Sequence, residues 1–88
     1  MTRKILAIVL AVMLLAAQAF AYTELAKGSK GDEVVALQEA LINQGYLNGK
    51  ADGDFGKNTA LGLANFKAHF GLPDDGIADQ DVWQIIFS

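Results

Sequence analysis

Two kinds of hydrophobic pattern divide the chain: an unbroken apolar run near its start, then helix-period stretches separated by glycine-rich breaks. From Val34 onward the apolar positions Val35, Leu37, Leu41 and Ile42 fall, at about 100° per residue, within an arc of about 160°. This predicts a core-facing helix beginning in Ser29-Lys30-Gly31-Asp32 and running to about Gln44. Ser29 is expected to cap it through its hydroxyl, with Asp32 and Glu33 at the positive end of the helix dipole. Gly45 ends it in the left-handed C′ conformation. A second helix is predicted from about Lys57 to Phe70, with Ala60, Leu63, Phe66 and Phe70 on one face and Gly71 as its stop. Gly62 lies at the edge of that face, where glycine costs about 0.5–1 kcal/mol relative to alanine unless close approach of another element repays it. The third helix is short, capped by Asp79, and apolar on nearly every side through Val82, Trp83, Ile85, Ile86 and Phe87. Such a helix is stable only when docked on the others. The expected fold is all-α: a small three-helix bundle.

One polar residue breaks the first apolar arc. Gln38 sits near its middle, and a buried amide left unpaired costs about 1–3 kcal/mol, so Gln38 must meet either loop backbone or a ligand. The loops between the helices repeat one another. Asp52-Gly53-Asp54-Phe55-Gly56-Lys57-Asn58-Thr59 aligns without gaps to Asp75-Gly76-Ile77-Ala78-Asp79-Gln80-Asp81-Val82. In each, Asp-Gly supplies a tight turn whose carboxylate bonds nearby amides and whose glycine takes positive φ. The fourth residue, Phe55 or Ala78, is expected to point inward, and the fifth, Gly56 or Asp79, to cap the following helix.

The first apolar run changes the accounting for the rest. Met1-Thr2-Arg3-Lys4 is a basic start, Ile5 to Leu15 is uninterrupted and apolar, and small residues follow to Ala21. This is the three-part pattern of a secretory signal peptide, and it falls short of the about 20 apolar residues of a typical membrane span. Ala17-Gln18-Ala19 and Ala19-Phe20-Ala21 both fit a cleavage site; cleavage after Ala21 is preferred because it keeps Phe20 off the new terminus. The expected division is 1–21 signal peptide and 22–88 mature domain, exported to the periplasm or beyond, with no stable membrane span after cleavage. The whole chain has a formal charge of −3; without Arg3 and Lys4 it becomes −5, a poor match for nucleic acid or anionic lipid. The absence of cysteine removes disulfides, thiolate metal sites and a cysteine nucleophile.

With those motifs in place, the sequence resembles the small three-helix peptidoglycan-binding domain appended to many bacterial cell-wall hydrolases. The resemblance spans Leu25 to Phe87. It rests on Gly28-Ser29-Lys30-Gly31-Asp32, on Val34, Leu37, Gln38, Leu41, Gly45 and Tyr46, on Asp52-Gly53-x-Phe55-Gly56-x-x-Thr59, on Phe66 with Gly71-Leu72, and on Asp75-Gly76-Ile77 leading to Trp83. The chain departs from the family at Lys67, where glutamine is usual, at Asp79, where glycine is usual, and at Val82, where threonine is usual. Lys67 and Asp79 are expected at surface or cap positions. The resemblance implies a non-catalytic, monomeric module that binds peptidoglycan or a muropeptide, with a cell-wall hydrolase as a further partner. The same fold also resembles the prodomain segment of matrix metalloproteases, which leaves a protein-interaction module as the alternative.

The inventory for catalysis is thin. His69, the only histidine, is expected to serve as a dipole partner in the last turn of its helix. Asp52 and Asp54 share one short turn, whereas a glycosidase pair flanks the scissile bond from about 5 to 9.5 Å apart. Asn48 to Thr59 loosely imitates a calcium loop, but Lys50 and Thr59 stand where ligands belong. No catalytic residue, cofactor or metal is expected. The expected ligand-binding residues are Gln38, Tyr46, Asp54, Asn58, Asn65 and Trp83, grouped around the first Asp-Gly loop. Gln38 and Trp83 each have a competing structural role, the first as a loop tie and the second as core filler.

Overall fold

The computed structural model describes residues 23–88. The expected signal peptide, 1–21, lies outside the described residues. Three α-helices follow one another: α1 (Asp32–Asn43), α2 (Lys57–His69) and α3 (Gln80–Ile86). Among the described residues the only β-type pairing is two isolated antiparallel bridges, Leu25 with Ala78 and Lys30 with Asp54, so the all-α expectation holds.

The core forms where the predicted faces meet. Val34, Leu37 and Leu41 of α1, Leu63 and Phe66 of α2 and Val82, Trp83 and Ile86 of α3 are buried together with Leu25, Leu47, Phe55 and Ala78. The fourth residue of each loop does point inward: Phe55 and Ala78 are buried. The fifth residues stand at the N-caps, Gly56 for α2 and Asp79 for α3, the latter accepting from the Val82 backbone N–H at 3.2 Å.

The segment before α1 laces the two loops together. Phe55 N–H donates to the Ser29 carbonyl at 2.9 Å and Gly28 N–H to the Phe55 carbonyl at 2.9 Å. Farther back, Leu25 and Ala78 exchange both backbone bonds, at 3.2 and 2.8 Å. The fourth residue of each Asp-Gly repeat therefore does two jobs, filling the core with its side chain and pairing its backbone with one extended segment. That pairing satisfies loop amides that burial would otherwise leave orphaned.

Several local expectations are corrected. Ser29 does not cap α1: the N-cap is Gly31, without a side-chain bond, and the Ser29 hydroxyl accepts from Ala26 N–H at 3.1 Å. The segment there is committed to the loop pairing, which sets Ser29 too far back to reach the helix. Phe70 is the C-cap of α2 and 43% exposed, not a core residue, because the chain leaves the helix at Gly71 before any element covers it. Lys67 is fully buried, not at the surface. Gly62 repays its cost as expected: a Cβ there would stand 2.8 Å from the Tyr46 carbonyl oxygen, so the loop after α1 runs directly against α2.

Candidate ligand-binding site

Gln38 decides the geometry of the first loop. Its Nε2 lies within bonding distance of the Asp52 carboxylate (3.0 Å), the Asp54 carbonyl (3.1 Å) and the Thr59 hydroxyl (2.9 Å). Its Oε1 accepts from Gly53 N–H at 2.8 Å. One buried amide thus joins α1, the Asp-Gly turn and the first turn of α2. The structural role forecast for Gln38 is the one observed, and the residue also forms the inner wall of a recess.

The second loop is held by the same device with different chemistry. Lys67, one helix further on, donates to the Asp75 carboxylate and to the Ile77 carbonyl, the latter at 2.6 Å. Gln38 engages Asp52 and the carbonyl two residues later; Lys67 engages Asp75 and the carbonyl two residues later. The residue that departs from the family pattern is therefore an ionic substitute for the usual amide, which explains how a lysine is tolerated at full burial. Both aspartates also cap their own turns, Asp52 accepting from Asp54 N–H at 3.0 Å and Asp75 from Ile77 N–H at 3.1 Å. These bonds hold both carboxyls below the usual carboxylate range: for Asp52 the Asp54 amide acts most, then Gln38; for Asp75 the Lys67 ammonium acts most, then the Ile77 amide.

Beside the first loop lies an open recess of about 270 Å³. Gln38 and Thr59 form its inner side, Asp52 and Asp54 one wall, and Lys50, Lys57 and Asn58 contribute to the rest. Two carboxylates and two ammonium groups balance there, so it offers hydrogen-bonding groups of both signs without a net field. Among the described residues no group of three or more His, Cys, Asp or Glu is gathered that could hold a metal ion, and no helix is long and apolar enough to cross a membrane.

Of the six residues predicted from the sequence, the recess brings together Gln38, Asp54 and Asn58. Asn65 is exposed two turns farther along α2. Tyr46 is half-buried, its ring edge-on to Phe66 with centroids 5.3 Å apart, and its hydroxyl bonds to His69 Nδ1. Trp83 is 5% exposed, with its indole N–H given to the Thr23 carbonyl at 3.0 Å, so it fills the core and shows no face at the recess. Sequence reasoning missed Lys50, which it weighed only against a calcium loop, and Lys57; both belong to the recess. It also missed the bond between His69 and Tyr46, residues 23 positions apart that no local pattern links.

A short all-α scaffold whose loops are locked by helix side chains beside a polar recess has the form of a small binding domain. The chain belongs to the peptidoglycan binding domain family, matched over residues 30–86. It is 39% identical over 69 residues to the spore cortex-lytic enzyme of Bacillus cereus, covering 78% of this chain but only 27% of that enzyme. The crystal structure of the SleB N-terminal domain superposes with a TM-score of 0.72 at 38% identity, over 74% of this chain and 89% of that one. An L,D-transpeptidase from Xylanimonas cellulosilytica matches with a TM-score of 0.71 at 35% identity, over 74% of this chain and 32% of that one. The chain thus spans about a quarter of the cortex-lytic enzyme, and nearly all of the solved N-terminal domain.

Proposed function

We propose that this protein is an exported, non-catalytic module that binds peptidoglycan at the recess beside the first Asp-Gly loop. The observation that carries the reading is the way Gln38 is spent. Its amide is wholly used within the protein, so the recess is a rigid, pre-formed wall on which Asp54 and Asn58 stand exposed. Rigid presentation of a few polar groups lowers the ordering cost of binding. Muropeptides offer hydroxyls, amides, carboxylates and an amine, which suit a recess of mixed charge. In this role the module brings itself, or a partner hydrolase, to the wall.

The test is co-sedimentation of the purified protein with isolated sacculi. Asn58→Ala and Asp54→Ala are each expected to weaken retention by about threefold to tenfold, the loss of one hydrogen bond, while leaving the melting temperature unchanged. Soluble protein in the supernatant at every wall concentration would end the proposal. Equal retention of wild type and both variants would remove these residues from the site.

A further inference from the structure

Beyond the recess, the exposed side of α2 has an unusual composition for a chain this acidic. After Lys57, the exposed positions of the helix are Asn58, Leu61, Asn65, Ala68 and His69, and none carries a fixed charge. At about 100° per residue these five fall within an arc of about 100°, so they form one stripe. With a rise of about 1.5 Å per residue, the stripe runs about 16 Å from Asn58 at the recess to His69. Leu61, on the stripe, is 56% exposed; Phe70, just past the helix, lies about 180° from Leu61 round the axis and meets the stripe through His69.

The far end of the stripe is built, not merely bare. His69 stacks on Phe70 with centroids 4.9 Å apart and planes 18° from parallel, and Tyr46 fixes the imidazole through its hydroxyl. Phe66 backs Phe70 at 4.7 Å. The loop from Tyr46 to Lys50 runs beside the helix, touching it at Gly62 and reaching the recess through Leu47 and Lys50. The stripe and the recess are therefore consecutive stretches of one surface.

We propose, resting on the wall-binding reading above, that this stripe is a second part of the binding face and that its occupant is the glycan strand. The charged groups, Lys50, Asp52, Asp54 and Lys57, are all confined to the recess. The carboxylates and amine of a stem peptide find no opposite charge along the stripe. A sugar strand offers acetamides and hydroxyls to Asn58, Asn65 and His69, and C–H ring faces to Leu61 and the His69 imidazole. Aromatic and amide groups held in place by their own contacts recognise such a ligand without net charge.

The deciding experiment compares wild type with the Leu61→Ser/Asn65→Ala double variant, both positions on the stripe, and with His69→Gln. Two probes are used at physiological salt: intact sacculi, and soluble glycan strands freed of stem peptides by an amidase, with the lactyl carboxylates so exposed converted to methylamides to keep the strand uncharged. Wild type is expected to bind both. The double variant is expected to lose about tenfold in affinity for the strands, and His69→Gln less, with the melting temperature of the double variant unchanged because Leu61 and Asn65 are exposed. Equal strand binding by wild type and the double variant overturns the proposal. Binding of wild type to sacculi but not to strands also overturns it, while leaving the wall-binding reading intact. Failure to bind either probe removes both. Sedimentation velocity supplies the remaining check: a wild-type dimer that the double variant abolishes would assign the stripe to a second copy of the chain and overturn the glycan assignment.

Discussion

Gly53 and Gly76 occupy the same place in the repeat and share a left-handed backbone, with φ of 77° and 74°, but their surroundings differ. A Cβ on Gly53 would meet the Val35 side chain at 3.2 Å and the Gly31 carbonyl at 3.3 Å, whereas a Cβ on Gly76 would meet nothing within 4 Å. Gly76→Ala is expected to cost about 1–2 kcal/mol, the left-handed penalty alone, and Gly53→Ala more than that. Urea denaturation of the two variants checks the ranking. Gln38 poses the opposite problem, since its shape matters less than its bonds. Gln38→Leu would strand the buried Gly53 N–H and the Thr59 hydroxyl, each costing about 1–3 kcal/mol, so a loss of at least about 2 kcal/mol is expected in the same assay.

The elements are joined by two ties of one design, and the difference in charge between them has consequences. Both Asp52 and Asp75 titrate below the usual carboxylate range in the folded state. A carboxyl whose folded pKa is depressed contributes stability that is complete above its unfolded pKa and is lost as the pH falls through the folded value. The urea midpoint is therefore expected to be flat at neutral pH and to fall below about pH 4. The second loop dominates that fall, because protonating Asp75 leaves the Lys67 ammonium buried without a counter-charge, whereas Gln38 stays neutral with other acceptors in reach. For the same reason Asp75→Ala is expected to destabilise more than Lys67→Met, which removes the buried charge along with its partner. Lys67→Gln, which restores the family's usual residue, is expected to reduce the acid sensitivity.

At the scale of the whole molecule, the segment before α1 has an influence out of proportion to its length. Among the described residues it is the one stretch that pairs with both loops, and through Thr23 it also receives the Trp83 indole N–H from α3. A domain this small has only a few kcal/mol of net stability. Leu25→Ala, at a buried position next to the Ala78 pairing, is expected to cost about 2–3 kcal/mol and to lower the melting temperature steeply. The surface is as segregated as the interior is connected. Four charged side chains, two of each sign, line the recess, while the exposed positions of α2 beyond Lys57 carry none.

Much of this was legible along the chain. Helical periodicity, the two Asp-Gly turns and the glycines at helix ends are local properties, and local sterics dictate where turns form, where helices launch and which faces are apolar. The same reasoning required Gln38 to find partners, because no buried amide goes unpaired at low cost. It did not reveal that Lys67 is its counterpart, since a lysine reads as surface until a carboxylate and a carbonyl are brought to it by a turn closed elsewhere. Nor did it separate Trp83 from the recess, place Phe70 outside the core, or join Tyr46 to His69. Those outcomes depend on how the elements pack and on which side of α2 the preceding loop lies, and packing of that kind is settled by contacts between residues distant in the chain.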